Sequence, residues 1–151
     1  MVEFALVAPL LFALVFGLID FSRAFNYLNV EQQLANEGAR LAAVNAKPGT
    51  CPGGAGPAAS LQQYIQCQST TKELASGGTF WLAKGAQVCI TFPAGTSRFG
   101  DPVQVTVSVP YKWMPIDWGN SSPPAATTIT GSGTMRLETA ATNFASGCYQ
   151  P

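Results

Sequence analysis

The stretch FALVAPLLFALVFGLI, residues 4–19, decides the architecture of this chain. Glu3 precedes it and Asp20 follows it, and no charged residue lies between them. As a helix it would be roughly 24 Å long, at about 1.5 Å per residue, which is close to the length that crosses a bilayer. Its large apolar side chains cover every side of the helix, so no polar face is left for water.

Leaving this stretch exposed to water would cost more free energy than a whole domain gains on folding. Its eleven large apolar side chains would each cost about 1.5–3 kcal/mol in water, and together they exceed the roughly 5–15 kcal/mol net stability of a domain. The stretch must therefore be enclosed by lipid, by other copies of the chain, or by the rest of its own chain as a central core helix.

The residues that follow argue against a core helix. A helical pattern continues from Asp20 to about residue 46, with polar faces that include Arg23, Glu31 and Glu37. Lys47-Pro48-Gly49 predicts where this helix ends. One helix of about 45 residues would be about 65–70 Å long, so we expect its first half to remain uncovered by its own chain. Pro9 predicts a kink within that half.

Residues 48–151 predict a small β-rich head domain. A Gly/Pro-rich loop at 48–60 leads to a short helix near 58–66, and residues 68–78 are predicted to be a connection. Strands are predicted around 86–92, over the strict valine alternation at 103–109, and around 129–137. Gly131 and Gly133 in the last strand predict a bulge or a close approach by another backbone. The predicted fold class is α+β, with an N-terminal helix over 1–47 and an antiparallel head over 48–151.

Composition excludes most chemical functions. Eight basic residues balance eight acidic ones, so no nucleic-acid partner is indicated. Histidine is absent, which removes the commonest general base, zinc ligand and haem ligand. We therefore expect no enzymatic activity, no metal and no cofactor.

Four cysteines beside a membrane-type N-terminus favour two disulfides in an oxidising compartment over buried free thiols. Three pairings are possible. We favour Cys51–Cys67 as a local link and Cys89–Cys148 as a long-range link to the C-terminus.

Several segments resemble TadE-like proteins, the type IV-related pilins and pseudopilins of tight-adherence systems. They are VEFALVAPLL at 2–11, DFSRA at 20–24, EGAR at 37–40 and TMRLE at 134–138. The resemblance implies a type IV pilin-like fold, a leader cut by a prepilin peptidase, insertion in the inner membrane, and extraction by an assembly machinery into a helical filament on the bacterial surface. We accordingly expect a basic leader upstream of Met1.

The resemblance also implies a role for Glu3. In such subunits a glutamate near the mature N-terminus pairs with the N-terminal amine of a neighbouring copy. That glutamate is usually fifth after the cleavage site, and here it is third.

The predicted function is that of a structural subunit in an extracellular filament of identical copies, with packing through the N-terminal helices. The candidate assembly residues are Glu3, Phe4, Pro9, Phe12, Phe16, Phe21, Arg23 and Phe25. One alternative is a minor pseudopilin that primes assembly or secretion from the membrane. Another is a single-pass envelope adhesin, in which Trp113 and Trp118 would bind a glycan. The aromatic segment 111–118 is itself predicted to be a loop that either covers the sheet as a hydrophobic plug or contacts a neighbouring copy.

Overall fold

Helix α1 runs from Val2 to Ala43 and continues through Pro9. The computed structural model describes residues 2–52, 56–69, 71–78, 81–82, 84–113 and 126–151, without the side chains of residues 2, 3, 5, 6 and 126. The helix ends before the predicted stop at Lys47-Pro48-Gly49, because Asn45 adopts a left-handed conformation with φ of 53°. The N–H of Ala46 then donates a hydrogen bond to the carbonyl of Leu41 at 3.0 Å. This is the Schellman motif at the C-terminus of a helix.

Four antiparallel strands form one sheet in the order β3-β2-β1-β4. They are β1 (Gln87–Thr91), β2 (Pro102–Lys112), β3 (Ala126–Arg136) and β4 (Gly147–Tyr149). Alternate residues of β2 from Val103 to Tyr111 are fully buried. The alternation seen in the sequence therefore marks the core face of the sheet.

The second half of α1 packs directly on this sheet. A Cβ atom added at Gly131 would lie 2.6 Å from the main-chain nitrogen of Gln32, and one added at Gly133 would lie 2.7 Å from the carbonyl oxygen of Ala35. Glycine is thus required at both positions because the helix backbone occupies the space of a side chain. The predicted close approach of another backbone is confirmed, and that backbone belongs to α1.

Strand β3 lies at the edge of the sheet, and α1 also protects this edge. The side-chain amide of Gln32 donates to the carbonyl of Ser132 at 2.8 Å and accepts from its N–H at 3.3 Å. One glutamine therefore satisfies both outward-facing main-chain groups of Ser132.

Two short helices complete the head. Helix α2 covers Leu61–Cys67 and starts later than the predicted residue 58, because the Ser60 hydroxyl caps it by accepting from the N–H of Gln63 at 3.2 Å. Helix α3 covers Lys72–Ser76 and lies within the segment predicted to be a connection. A single turn is too short to show helical periodicity in the sequence.

Disulfides Cys51–Cys67 and Cys89–Cys148 tie α2 to the preceding loop and β1 to β4. They are the two pairs that the sequence analysis favoured.

Candidate assembly interface

The apolar stretch at residues 4–19 is not covered by its own chain. Its described large side chains are between 41% exposed at Val15 and 78% exposed at Phe4. The expectation that one copy leaves this stretch uncovered is therefore confirmed for the side chains that the structure describes. By length and composition, α1 contains a segment able to cross a membrane.

Eight exposed apolar side chains of α1 form a continuous row that winds slowly around the helix, which we call the apolar seam. Successive members are alternately three and four residues apart, which is the spacing of the a and d positions of a coiled coil. The seam consists of Phe4, Val7, Leu11, Leu14, Leu18, Phe21, Phe25 and Leu28. It therefore extends beyond the uncharged stretch by more than two turns of helix.

The head covers the side of α1 that the seam leaves free. Between residues 20 and 31 the buried positions are Asp20, Ala24, Tyr27 and Glu31, whereas Phe21, Phe25 and Leu28 remain between 42% and 62% exposed. The folded head thus leaves one apolar face of α1 open for a partner along this length.

The other predicted assembly residues do not lie on this face. Phe12 and Phe16 are exposed, with ring centroids 6.2 Å apart, on a different side of the helix from the seam. Pro9 is exposed. The side chain of Glu3 lies outside the described side chains, so its pairing with an amine stays a prediction.

Arg23 does not share the surroundings of the seam. Its guanidinium lies 5.0 Å from the ring centroid of Trp81, in a cation–π arrangement. Trp81 stacks on Tyr111 at 6.3 Å between centroids, and Trp113 meets the same ring edge-on at 5.1 Å. Arg23 therefore joins the helix to an aromatic cluster at the end of the sheet nearest the apolar stretch. The other predicted aromatic residue of this segment, Trp118, lies outside the described residues.

Two tyrosine–carboxylate pairs also fasten α1 to the head. The buried Tyr111 hydroxyl donates to Oδ1 of Asp20 at 2.5 Å, and Tyr27 donates to the Glu73 carboxylate. Burial, followed by the bond to Asp20, raises the pKa of Tyr111, so this hydroxyl keeps its proton and remains a donor.

Glu31 is buried, and its predicted place on a polar face is wrong. It lies about 18 Å along the helix beyond Ile19, outside the apolar stretch, where the helix packs on β3. Among the described residues, neither of its carboxylate oxygens has a hydrogen-bond partner. Burial raises the pKa of Glu31 to about 9, so the folded chain holds this group protonated at neutral pH. The signal in the sequence that could have indicated burial of Glu31 is its position, seven residues after the buried Ala24 and seven before the buried Gly38.

Comparison with protein families adds evidence for the same segment of the chain. Residues 1–40 match the family model described as TadE-like protein. In this segment the chain is similar to TadE-like proteins. The match covers most of α1, including the whole apolar seam, and stops before the head. Comparisons with curated proteins and with solved structures found no match.

The match over residues 1–40 is consistent with a pilus-related protein that has a membrane-type N-terminal helix. Within the described part of the chain, no three His, Cys, Asp or Glu side chains are grouped so that they could hold a metal ion. The candidate functional site is the apolar seam, because its large apolar side chains are exposed and lie within the matched segment.

Proposed function

We propose that this chain is a structural subunit of an extracellular pilus-like filament in which neighbouring copies pack along the apolar seam. The seam is the observation that carries the proposal, because eight large side chains at coiled-coil spacing are exposed on one side of α1. In this proposal the chain spans the inner membrane before assembly, is processed by a prepilin peptidase and is added to the filament by an assembly machinery.

Lipid alone does not account for the whole seam. Phe21 and Leu28 lie about 3 and 14 Å along the helix beyond Ile19, so the upper end of the seam rises beyond the hydrocarbon that surrounds residues 4–19. Water there would be in contact with exposed phenylalanine and leucine side chains, which favours a protein partner.

The seam is also large enough for stable packing between copies. If each of the eight side chains covers on the order of 100 Å², the seam contributes about 800 Å² per helix, which is what one partner gives to a standard interface. Copies inserted in one membrane point the same way, and a parallel pair with 3.5-residue spacing coils left-handedly.

The test replaces the two seam residues that lie farthest from the apolar stretch, in the variant Phe25→Gln/Leu28→Gln. We expect the membrane to retain normal amounts of this variant, because residues 4–19 are unchanged, and sheared surface material to lack its filaments. The measurements are negative-stain imaging of that material and immunoblotting of membranes.

The matched control is Phe99→Gln/Val44→Gln, which removes one exposed phenylalanine and one exposed aliphatic side chain away from the seam. It should form filaments at the wild-type level. Normal filament numbers in the seam variant would contradict the proposal.

A minor pseudopilin would use the same seam, since a priming complex also needs contacts between helices. The two roles differ in abundance. A major subunit dominates a gel of purified filaments, whereas a pseudopilin is present there only in traces.

A further inference from the structure

A pocket lies where the head meets α1, just above the apolar stretch. It has a volume of about 480 Å³ and is lined by Arg23, Asn26, Tyr27, Thr71, Lys72 and Glu73. Arg23, Asn26 and Lys72 are exposed. The pocket therefore offers two cations and an amide to a ligand that arrives from outside the fold.

The charge presented at this end of the head is positive. Lys112 lies at the same end of the sheet, where its N–H bonds the carbonyl of Trp81 at 2.8 Å. Asp20 and Glu73 lie at the same end, and each accepts a hydrogen bond from a buried tyrosine, which orients the carboxylate but leaves its negative charge in place. Among the described residues, three cations (Arg23, Lys72 and Lys112) thus outnumber the two carboxylates at this end, which leaves an excess of positive charge for an anionic ligand.

The pocket also lies at the height of lipid headgroups. Arg23 is about 6 Å along the helix beyond Ile19, and the headgroup layer extends about 5–8 Å beyond the hydrocarbon on each side of a bilayer. Trp81 and Trp113 are half-buried at the same end of the head. Tryptophan beside lysine and arginine is typical of a surface that rests in the membrane interface.

We propose that this end of the head is a membrane-contact surface, in which Arg23, Asn26 and Lys72 bind the phosphate of an anionic phospholipid while Trp81 and Trp113 lie in the interface. The proposal rests on the membrane-anchored stage of the proposed function. It adds a lipid site at the junction of α1 and the head, where the apolar stretch alone would only anchor the chain.

The tryptophans of the chain make this contact measurable. All three, Trp81, Trp113 and Trp118, belong to the head and none to α1, so quenching by lipid-borne bromine reports contact between head and bilayer. The full-length chain is reconstituted in vesicles of equal parts phosphatidylglycerol and phosphatidylcholine, with bromine near the carbonyl end of the acyl chains of one lipid or the other. We expect stronger quenching from brominated phosphatidylglycerol.

The decisive variant is Arg23→Gln/Lys72→Gln. Each cation near an anionic surface is worth about fivefold in binding, so we expect the preference for phosphatidylglycerol to fall by up to about 25-fold. The charge-preserving variant Arg23→Lys/Lys72→Arg should retain most of the preference. The control Lys47→Gln/Arg136→Gln removes the same charge from exposed positions at the far end of the head and should retain all of it.

Three results would overturn the proposal. They are equal quenching by the two lipids in the wild type, an equal loss of preference in the control variant, and abolition of the preference by inorganic phosphate but not by chloride of the same ionic strength. The last result would identify a free-phosphate site instead of a lipid site.

Filament imaging separates this proposal from the proposed function. Normal filaments together with no preference for phosphatidylglycerol would contradict only the proposed lipid site. A preference for phosphatidylglycerol together with no filaments would contradict only the proposed role as a filament subunit.

Discussion

Glu31→Met removes the one carboxyl group that the fold buries without a hydrogen-bond partner among the described residues. In the wild type the unfolded chain loses this proton near the ordinary pKa of 4.5, whereas the folded chain keeps it up to about 9. The unfolded state therefore binds fewer protons between those two values, and the stability of the folded state falls as pH rises through this window. Below the window both states are protonated and the penalty is absent.

The expected size follows from this shift. Each pH unit inside the window costs at most 1.36 kcal/mol, so raising the pH from about 5 to about 8 destabilises the wild type by up to roughly 4 kcal/mol through Glu31 alone. For a chain of this size about 1 kcal/mol corresponds to about 2–4 °C in Tm. The Tm of the wild type should thus fall by up to about 8–16 °C over this range because of Glu31.

The assay is thermal unfolding of the full chain in detergent, followed by circular dichroism at several pH values. Glu31→Met should flatten the pH dependence and raise Tm most at the alkaline end, because methionine is apolar and similar in length. Glu37→Gln, which changes an exposed glutamate on the same helix, should leave the wild-type slope in place. If Glu31→Met kept that slope, or if the wild type became more stable towards pH 8, the assignment of a buried protonated Glu31 would be refuted.

Three further changes test the packing of the head, with Tm of the full chain in detergent as the measurement. Gly131→Ala places a Cβ 2.6 Å from helix backbone and should cost about 1–3 kcal/mol, whereas Thr130→Ala on the exposed side should have little effect; equal Tm values would disprove the close approach. Tyr111→Phe removes a hydrogen bond to the buried Asp20 and should lower stability by about 1–3 kcal/mol, and an unchanged Tm would count against that bond. Cys89→Ser opens a link across 59 residues and should cost about 4 kcal/mol, roughly 1 kcal/mol more than opening the shorter link; a smaller loss would contradict this ranking.

The sequence predicts the main elements well where one physical signal dominates. The valine alternation of β2 and the uncharged run of α1 each reflect a single requirement, namely one buried face of a strand and complete exclusion of water. The Gly131/Gly133 pair leaves two readings, a bulge or a close approach by another backbone, because glycine weakens a strand unless one of these requires it.

Other features depend on tertiary contacts that no local pattern contains. Glu31 appears as an ordinary polar residue until the helix is placed on the sheet, and the apolar seam is hidden in a stretch that is apolar all round. Only when the head covers Ala24 and Tyr27 does one side of α1 remain open as a seam. Helix α1 ends earlier in the chain than the sequence predicts. The reason is Asn45, a residue type that tolerates a left-handed φ and terminates the helix before Pro48 does.

The Gln32 amide on Ser132 constrains how heads can meet when many of them are crowded together. A strand from a neighbour could not add to the middle of β3 without first displacing that amide, so merging of sheets into a continuous ribbon is opposed at this point. In a fibre made from this chain, heads would then not join through the middle of β3, and contacts between the α1 helices would hold the subunits together.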